Sequence, residues 1–162
     1  MNCVGFYLTF QVYPVYSVLD LCGGVPLKAL DNNNHSVFKL NYHMVLVTKY
    51  RRRVITDRVS DRLRELFIVI SKPYNITLAE WNFEPDHVHI LLTAHPNSCI
   101  SKFINAYKSA SSRLIKKEFS SVRKQLWKEM FWSRSFCILT VGGAPLEILK
   151  TYIASQGGSH TE

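Results

Sequence analysis

ITLAEWNFEPDHVHILLT, residues 76–93, reads as two strands folded back on one another. Ile76 to Glu84 and His87 to Thr93 are both rich in aliphatic, aromatic and β-branched residues, and the Pro85-Asp86 pair between them is a tight polar corner. The second arm carries His87-Val88-His89. On a strand, side chains two apart share a face, with Cα atoms roughly 6.5 to 7 Å apart. Two imidazoles so placed can converge on one ion while Val88 points into the core. Ordinary part-buried, hydrogen-bonded histidines leave the same signature, so the pair requires a second feature.

Working outward, the regular pattern continues on both sides. Upstream, Val37 to Thr48 (VFKLNYHMVLVT) has strand character and is closed by the basic run Lys49 to Arg53. Thr56 or Asp57 then caps a helix whose apolar positions Val59, Leu63, Leu66, Phe67 and Ile70 recur at helical spacing and which ends at Lys72-Pro73. Downstream, Ile100, Phe103, Ile104, Tyr107, Leu114 and Ile115 form the apolar stripe of a second helix, with Lys102, Lys108, Arg113, Lys116 and Lys117 mostly off it. A short helical segment follows around Val122 to Trp127, then a last strand from Phe136 to Val141 and the break Gly142-Gly143. Pro145 suits the first turn of a final helix running to about Gln156 and stopping at Gly157-Gly158. The order β-α-β-β-α-β plus a terminal helix predicts an α+β, ferredoxin-like sandwich, with helices on one face of an antiparallel sheet.

Bulk properties agree with one folded domain. The chain has 162 residues, 47% hydrophobic and 20% charged, in the range of soluble globular proteins. Its net charge is +8, which points to a polyanionic partner, and Lys102 to Arg134 alone carries nine basic and two acidic residues, a surplus of seven. Cys3, Cys22, Cys99 and Cys137 are scattered without a zinc or disulfide spacing, which suits a reducing, intracellular compartment. Residues 1–34 read differently, being apolar and aromatic with Lys28 as their one basic residue. Thr9, Gln11, Pro14, Ser17 and Asp20 interrupt them too often for a secretory signal or a membrane span. They are expected to be an extension of unknown role, loosely attached to a single domain over residues 35–162.

The second feature lies in the terminal helix, where Tyr152 and Gln156 are four residues apart and share a face. Tyrosine is a candidate nucleophile, and glutamine offers a metal a neutral oxygen. Packing explains the tyrosine equally well, since Leu149 and Ile153 share its stripe.

In combination these features change meaning. Residues 35–157 resemble the single-tyrosine transposases of the IS200/IS605 insertion-sequence group, members of the HUH endonuclease superfamily. The matching stretches are NYHMVLVTKYRRR (41–53), EPDHVHILL (84–92), KSASSRLIKKEF (108–119), FWSRSFCILTVGG (131–143) and YIASQG (152–157), in the family's order and approximate spacing. The resemblance implies that His87, His89 and Gln156 are metal ligands and that Tyr152 attacks the scissile phosphate. It also implies a substrate, single-stranded DNA with hairpins at transposon ends, and a homodimer whose active sites are shared between subunits. Gly142-Gly143 then stands where the tyrosine helix would pivot, although a simple turn has the same composition.

The chemistry follows from the residues. A free phenol has a pKa of about 10, so it attacks poorly at neutral pH until a positive field favours its oxyanion. Two imidazoles and an amide leave a divalent ion's charge unneutralised by protein, which favours Mg²⁺ or Mn²⁺ with phosphate as the next ligand. Zinc normally draws thiolate or carboxylate as well, and only Glu84 and Asp86 are near in sequence. Asp86 is either an orienting partner of a histidine or simply part of the hairpin corner. A phosphotyrosine bond keeps the energy needed for resealing, in keeping with the absence of any nucleotide-binding motif. Lys49, Arg51, Arg52, Arg53, Arg113, Lys116 and Lys117 are candidates for phosphate contact, and Trp132 for base stacking unless it belongs to the core. A cytoplasmic protein, associated with the nucleoid when bound to DNA, is expected. The alternatives are a non-catalytic ferredoxin-like module that grips nucleic acid, or a domesticated relative that processes genomic palindromes.

Overall fold

The computed structural model describes residues 31–33, 36–141 and 151–152. The chain divides into two units, residues 1–37 and 38–162. Strands β1 (Asp31–Asn33) and β2 (Ser36–Phe38) pair as a small ladder of their own.

The second unit runs β3 (Leu40–Val47), α1 (Asp57–Ser71), β4 (Ile76–Glu84), β5 (His87–Ala94), α2 (Ile100–Glu118), α3 (Ser120–Gln125) and β6 (Cys137–Thr140). Its sheet is antiparallel in the order β4-β5-β3-β6. The first and third strands of the unit occupy the centre and the second and fourth the edges, which is the ferredoxin-like arrangement. Lys39 interrupts the expected strand from Val37 to Thr48, so that its first residues belong to β2 and the remainder to β3.

Alternation along the strands sorts the side chains. Met44 and Leu46 on β3 and Val88, Ile90 and Leu92 on β5 are fully buried in the core shared with the helices. On β4 the alternation changes phase at a bulge between Leu78 and Glu80. Ile76 and Leu78 face the core before it, Trp81 and Phe83 after it. One extra residue reverses the faces of everything that follows. Asn82 and Glu84 are thereby set directly across from His89 and His87.

Helix α1 starts after Thr56, whose side chain makes no capping bond, and buries Val59, Leu63, Leu66 and Phe67. A turn at Lys72–Tyr74 ends it, with Asn75 in the left-handed region at φ 53°. Helix α2 buries Phe103, Ile104, Tyr107, Ser111 and Ile115. Phe67 is the aromatic centre of the layer, meeting Trp81, Phe103 and Tyr107 edge to face, with centroids 5.0 to 6.1 Å away. Polar atoms inside are paired: Tyr107 donates to the Leu63 carbonyl at 3.0 Å and Trp81 Nε1 to Ser60 Oγ at 2.9 Å. Trp132 belongs here too, 7% exposed and donating from Nε1 to Ser111 Oγ at 2.9 Å. This removes it as a base-stacking side chain, because both its ring and its one donor are committed to the interior.

Since Phe67 touches both helices and the sheet, Phe67→Ala is expected to lower unfolding stability by about 3 to 5 kcal/mol in a urea titration.

Candidate active site

The pairing of β3 with β5 decides what meets on the outer face of the sheet. Val45 lies opposite His89 and Val47 opposite His87, which places His43 diagonally beside His89. Val88, between the two histidines, is fully buried on the other face, as expected of a strand. The sheet's pleat therefore presents three imidazoles together.

The rings are linked in series. His87 Nε2 lies 3.1 Å from His89 Nε2, and His89 Nδ1 lies 3.0 Å from His43 Nε2. At the other end His87 Nδ1 donates to Asp86 Oδ1 at 2.6 Å, while Arg51 Nε donates to Asp86 Oδ2 at 2.6 Å. Asp86 therefore has both roles the sequence leaves open. Its carboxylate orients His87, and its backbone carbonyl accepts from the Thr48 amide at 2.9 Å and the Thr48 hydroxyl at 3.0 Å, fixing the corner to the end of β3.

Electrostatics assign the protons. Burial alone would raise the Asp86 carboxyl, but the hydrogen bonds and charges of His87 and Arg51 outweigh it and hold the pKa below its ordinary value. An ionised carboxylate only accepts, so His87 carries a proton on Nδ1 and turns Nε2 toward His89. His89 is pushed down to about 4, by burial first and then by the repulsion it would meet from His87 and His43 when those rings are protonated. Burial also lowers His43. All these influences favour neutral rings on the central and inner histidines, the state in which imidazole binds a metal.

This geometry fits a cation. With His89 donating from Nδ1 to His43, the Nε2 atoms of His87 and His89 both carry lone pairs and stand 3.1 Å apart. Two donors about 2.1 Å from one ion and at right angles to each other stand about 3.0 Å apart, so the separation suits neighbouring ligands of a small divalent ion. Without an ion, the other tautomer of His89, accepting from His43 at Nδ1 and donating from Nε2 to His87, closes the same chain. His43 is not a third ligand in this arrangement, because its nitrogen meets the far side of His89. Among the described residues no group of three or more His, Cys, Asp and Glu side chains is arranged to hold a metal, so further donors would have to come from elsewhere.

Of the other residues singled out in the sequence, Tyr152 is helical and 55% exposed. Gln156, Gly142-Gly143 and the remaining positions of the expected terminal helix fall outside the described residues. Arg52, Arg53, Arg113 and Lys117 are exposed, whereas Arg51 is tied to Asp86. Lys116 is likewise engaged, donating to the Glu129 carbonyl at 2.9 Å. His43 was not picked out from sequence. Its signal, an inward step of two residues along the neighbouring strand, only exists once the register is known.

Comparison with known proteins gives a consistent family. Residues 36–156 match the family described as "Transposase IS200 like". The chain is 34% identical over 120 residues to the ISDra2 transposase TnpA of Deinococcus radiodurans, covering 74% of this chain and 86% of that protein. It is 26% identical over 122 residues to the transposase for insertion sequence element IS200 of Salmonella typhimurium, covering 75% and 80%. Among solved structures, a putative transposase from Deinococcus radiodurans superposes with a TM-score of 0.63 at 32% identity, over 80% of this chain and 99% of that one. A REP-associated tyrosine transposase bound to a REP hairpin superposes with a TM-score of 0.52 at 12% identity, over 76% and 68%, and shows the shared fold. No helix among the described residues is long and apolar enough to cross a membrane.

The depressed pKa of His89 has a measurable consequence. Its folded value of about 4 lies below the ordinary 6.5, so the unfolded chain binds the proton more readily. This contribution to stability is complete above about 6.5 and is lost as pH falls through about 4. In metal-free protein, NMR titration of the imidazole protons should show His89 still neutral at pH 5.5.

Proposed function

Because the chain belongs to the IS200-like transposase family, we propose that it cuts and rejoins single-stranded DNA at hairpin-marked transposon ends through a 5′-phosphotyrosine bond to Tyr152. The observation that carries this reading is the convergence of His87 Nε2 and His89 Nε2 at 3.1 Å, with the rings oriented from behind by Asp86 and His43. In this reading His87, His89 and Gln156 hold Mg²⁺ or Mn²⁺. Residues 35–162 form the catalytic domain, and residues 1–34 are an extension to which no role is given.

The bound ion would supply a positive field that polarises the scissile phosphate and offsets charge in the transition state. The chain's own residues do the remainder. Asp86, itself held by Arg51, keeps the His87 proton on Nδ1 so that Nε2 faces the site. His43 does the same for His89 in the tautomer in which it accepts from His89 Nδ1, across the 3.0 Å contact between them. The Tyr152 phenol oxygen attacks phosphorus and loses its proton. A P–O bond to tyrosine forms, the P–O3′ bond breaks, and the departing 3′-oxygen takes up a proton. Attack by another 3′-hydroxyl reverses these steps and reseals the strand, with no nucleotide consumed. Arg52, Arg53, Arg113 and Lys117 are exposed and basic, which supports their proposed role in phosphate contact. A homodimer in which the tyrosine helix of one copy completes the site of the other is part of the same proposal.

Incubation with a single-stranded hairpin substrate and Mg²⁺, followed by denaturing electrophoresis, should give a shifted protein-DNA adduct. Tyr152→Phe should abolish it while leaving hairpin affinity within a few fold, and chelation of the metal should abolish it in the unsubstituted chain. An adduct formed by Tyr152→Phe would remove tyrosine from its role.

The orienting role of His43 has its own measurement. His43→Ala should weaken Mn²⁺ binding, followed by electron paramagnetic resonance without DNA, about 10- to 100-fold.

A further inference from the structure

With Trp132 buried, the exposed aromatic side chains lie elsewhere. Tyr50 is 59% exposed and Trp127 is 40% exposed, yet they meet each other, with ring centroids 5.2 Å apart and planes at 83°. Each carries a lysine: the Lys49 ammonium stands 4.6 Å from the Tyr50 centroid and the Lys128 ammonium 4.4 Å from that of Trp127. Two water-facing rings and two cations thus form one patch, although their residues are far apart in sequence.

The patch is built deliberately by the backbone. Tyr50 and Arg51 have φ of 57° and 53°, and Lys128 and Glu129 have φ of 46° and 55°. These are four of the five non-glycine residues with positive φ among the described residues. Such conformations are unfavourable for side chains with a Cβ and persist where surrounding structure enforces them. Here the two loops are joined behind the rings: the Lys49 amide donates to the Phe131 carbonyl at 2.8 Å, and the Ser133 amide to the Val47 carbonyl at 2.8 Å. The patch is also bonded to the histidine site, since Arg51, next to Tyr50, holds the Asp86 carboxylate that orients His87.

We propose that Tyr50 and Trp127 are a stacking platform for an unpaired base of the DNA strand, with Lys49 and Lys128 receiving its flanking phosphates. This rests on the single-strand reading of the function given above. An aromatic face and an ammonium side by side match the two halves of a nucleotide. The ring can exchange its lysine for a base, and the displaced ammonium then finds an anionic phosphate. A duplex offers no free base face, so the platform favours unpaired DNA, and because every base has a π face it is tolerant of sequence. The bond through Arg51 and Asp86 makes it a holder for the strand next to the site of cutting.

The test uses the full chain in chelator, with oligothymidylate and an abasic deoxyribose-phosphate strand of equal length and charge. Oligothymidylate should quench Trp127 fluorescence, obtained as the difference between the unsubstituted chain and Trp127→Phe, and the abasic strand should not. Tyr50→Ala and Trp127→Ala should each weaken oligothymidylate binding roughly 5- to 150-fold and leave abasic binding unchanged, while Tyr50→Phe and Trp127→Phe retain affinity. Unchanged oligothymidylate affinity in both alanine variants, or an equal loss on the abasic strand, would overturn the platform. Should either result accompany a normal covalent adduct with hairpin substrate, the platform alone fails. If no adduct forms and the unsubstituted chain binds neither strand, the single-strand reading itself fails.

Discussion

The antiparallel pairing of β3 with β5 is the constraint on which the site depends. Its register fixes which side chains reach the outer face and how far apart they stand. Val45 opposite His89 and Val47 opposite His87 bring His43 to the back of His89. A slip of one residue would send the β3 members of this set into the core and replace them with Met44 and Leu46. The same pairing buries Val88, Ile90 and Leu92 beneath the helices, so the force that builds the core also sets the imidazoles in place.

Around that face each charge has a counterpart that keeps it local. Arg51 and His87 share the Asp86 carboxylate, and burial holds the inner rings neutral. A chain of rings so arranged is short of positive charge where its nitrogen lone pairs converge. A divalent ion with open coordination positions would meet that need and leave room for phosphate, as the proposed metal-assisted phosphoryl transfer requires. The bulge in β4 adds to the same face by setting Asn82 and Glu84 across from the histidines.

The basic surface has more internal structure than net charge suggests. Lys116 is committed to Glu129 and Lys108 to the carbonyl of Arg134, whereas Arg52, Arg53, Arg113 and Lys117 remain exposed. Charge in sequence therefore overstates the number of cations ready for phosphate. Aromatic residues were misjudged as well: the tryptophan beside the basic run is interior, and the exposed ring pair comes from two loops joined by β-type hydrogen bonds.

Local patterns in the sequence were sufficient for the element order from β3 to β6, the Pro85-Asp86 corner, the two helix stripes and the pairing of His87 with His89 through Val88. Each depends on residues within one helical turn or one strand, where side-chain period is set by backbone geometry alone. What the tertiary structure decided involves distance across the sheet: His43 behind His89, Arg51 on Asp86, the phase change at the β4 bulge, and the meeting of Tyr50 with Trp127. Trp127 and Tyr50 are separated by most of the domain, and no periodicity along the chain can encode the register and loop geometry that bring their rings to 5.2 Å. Local order is written in neighbouring residues, whereas a site is made by packing that only the complete fold specifies.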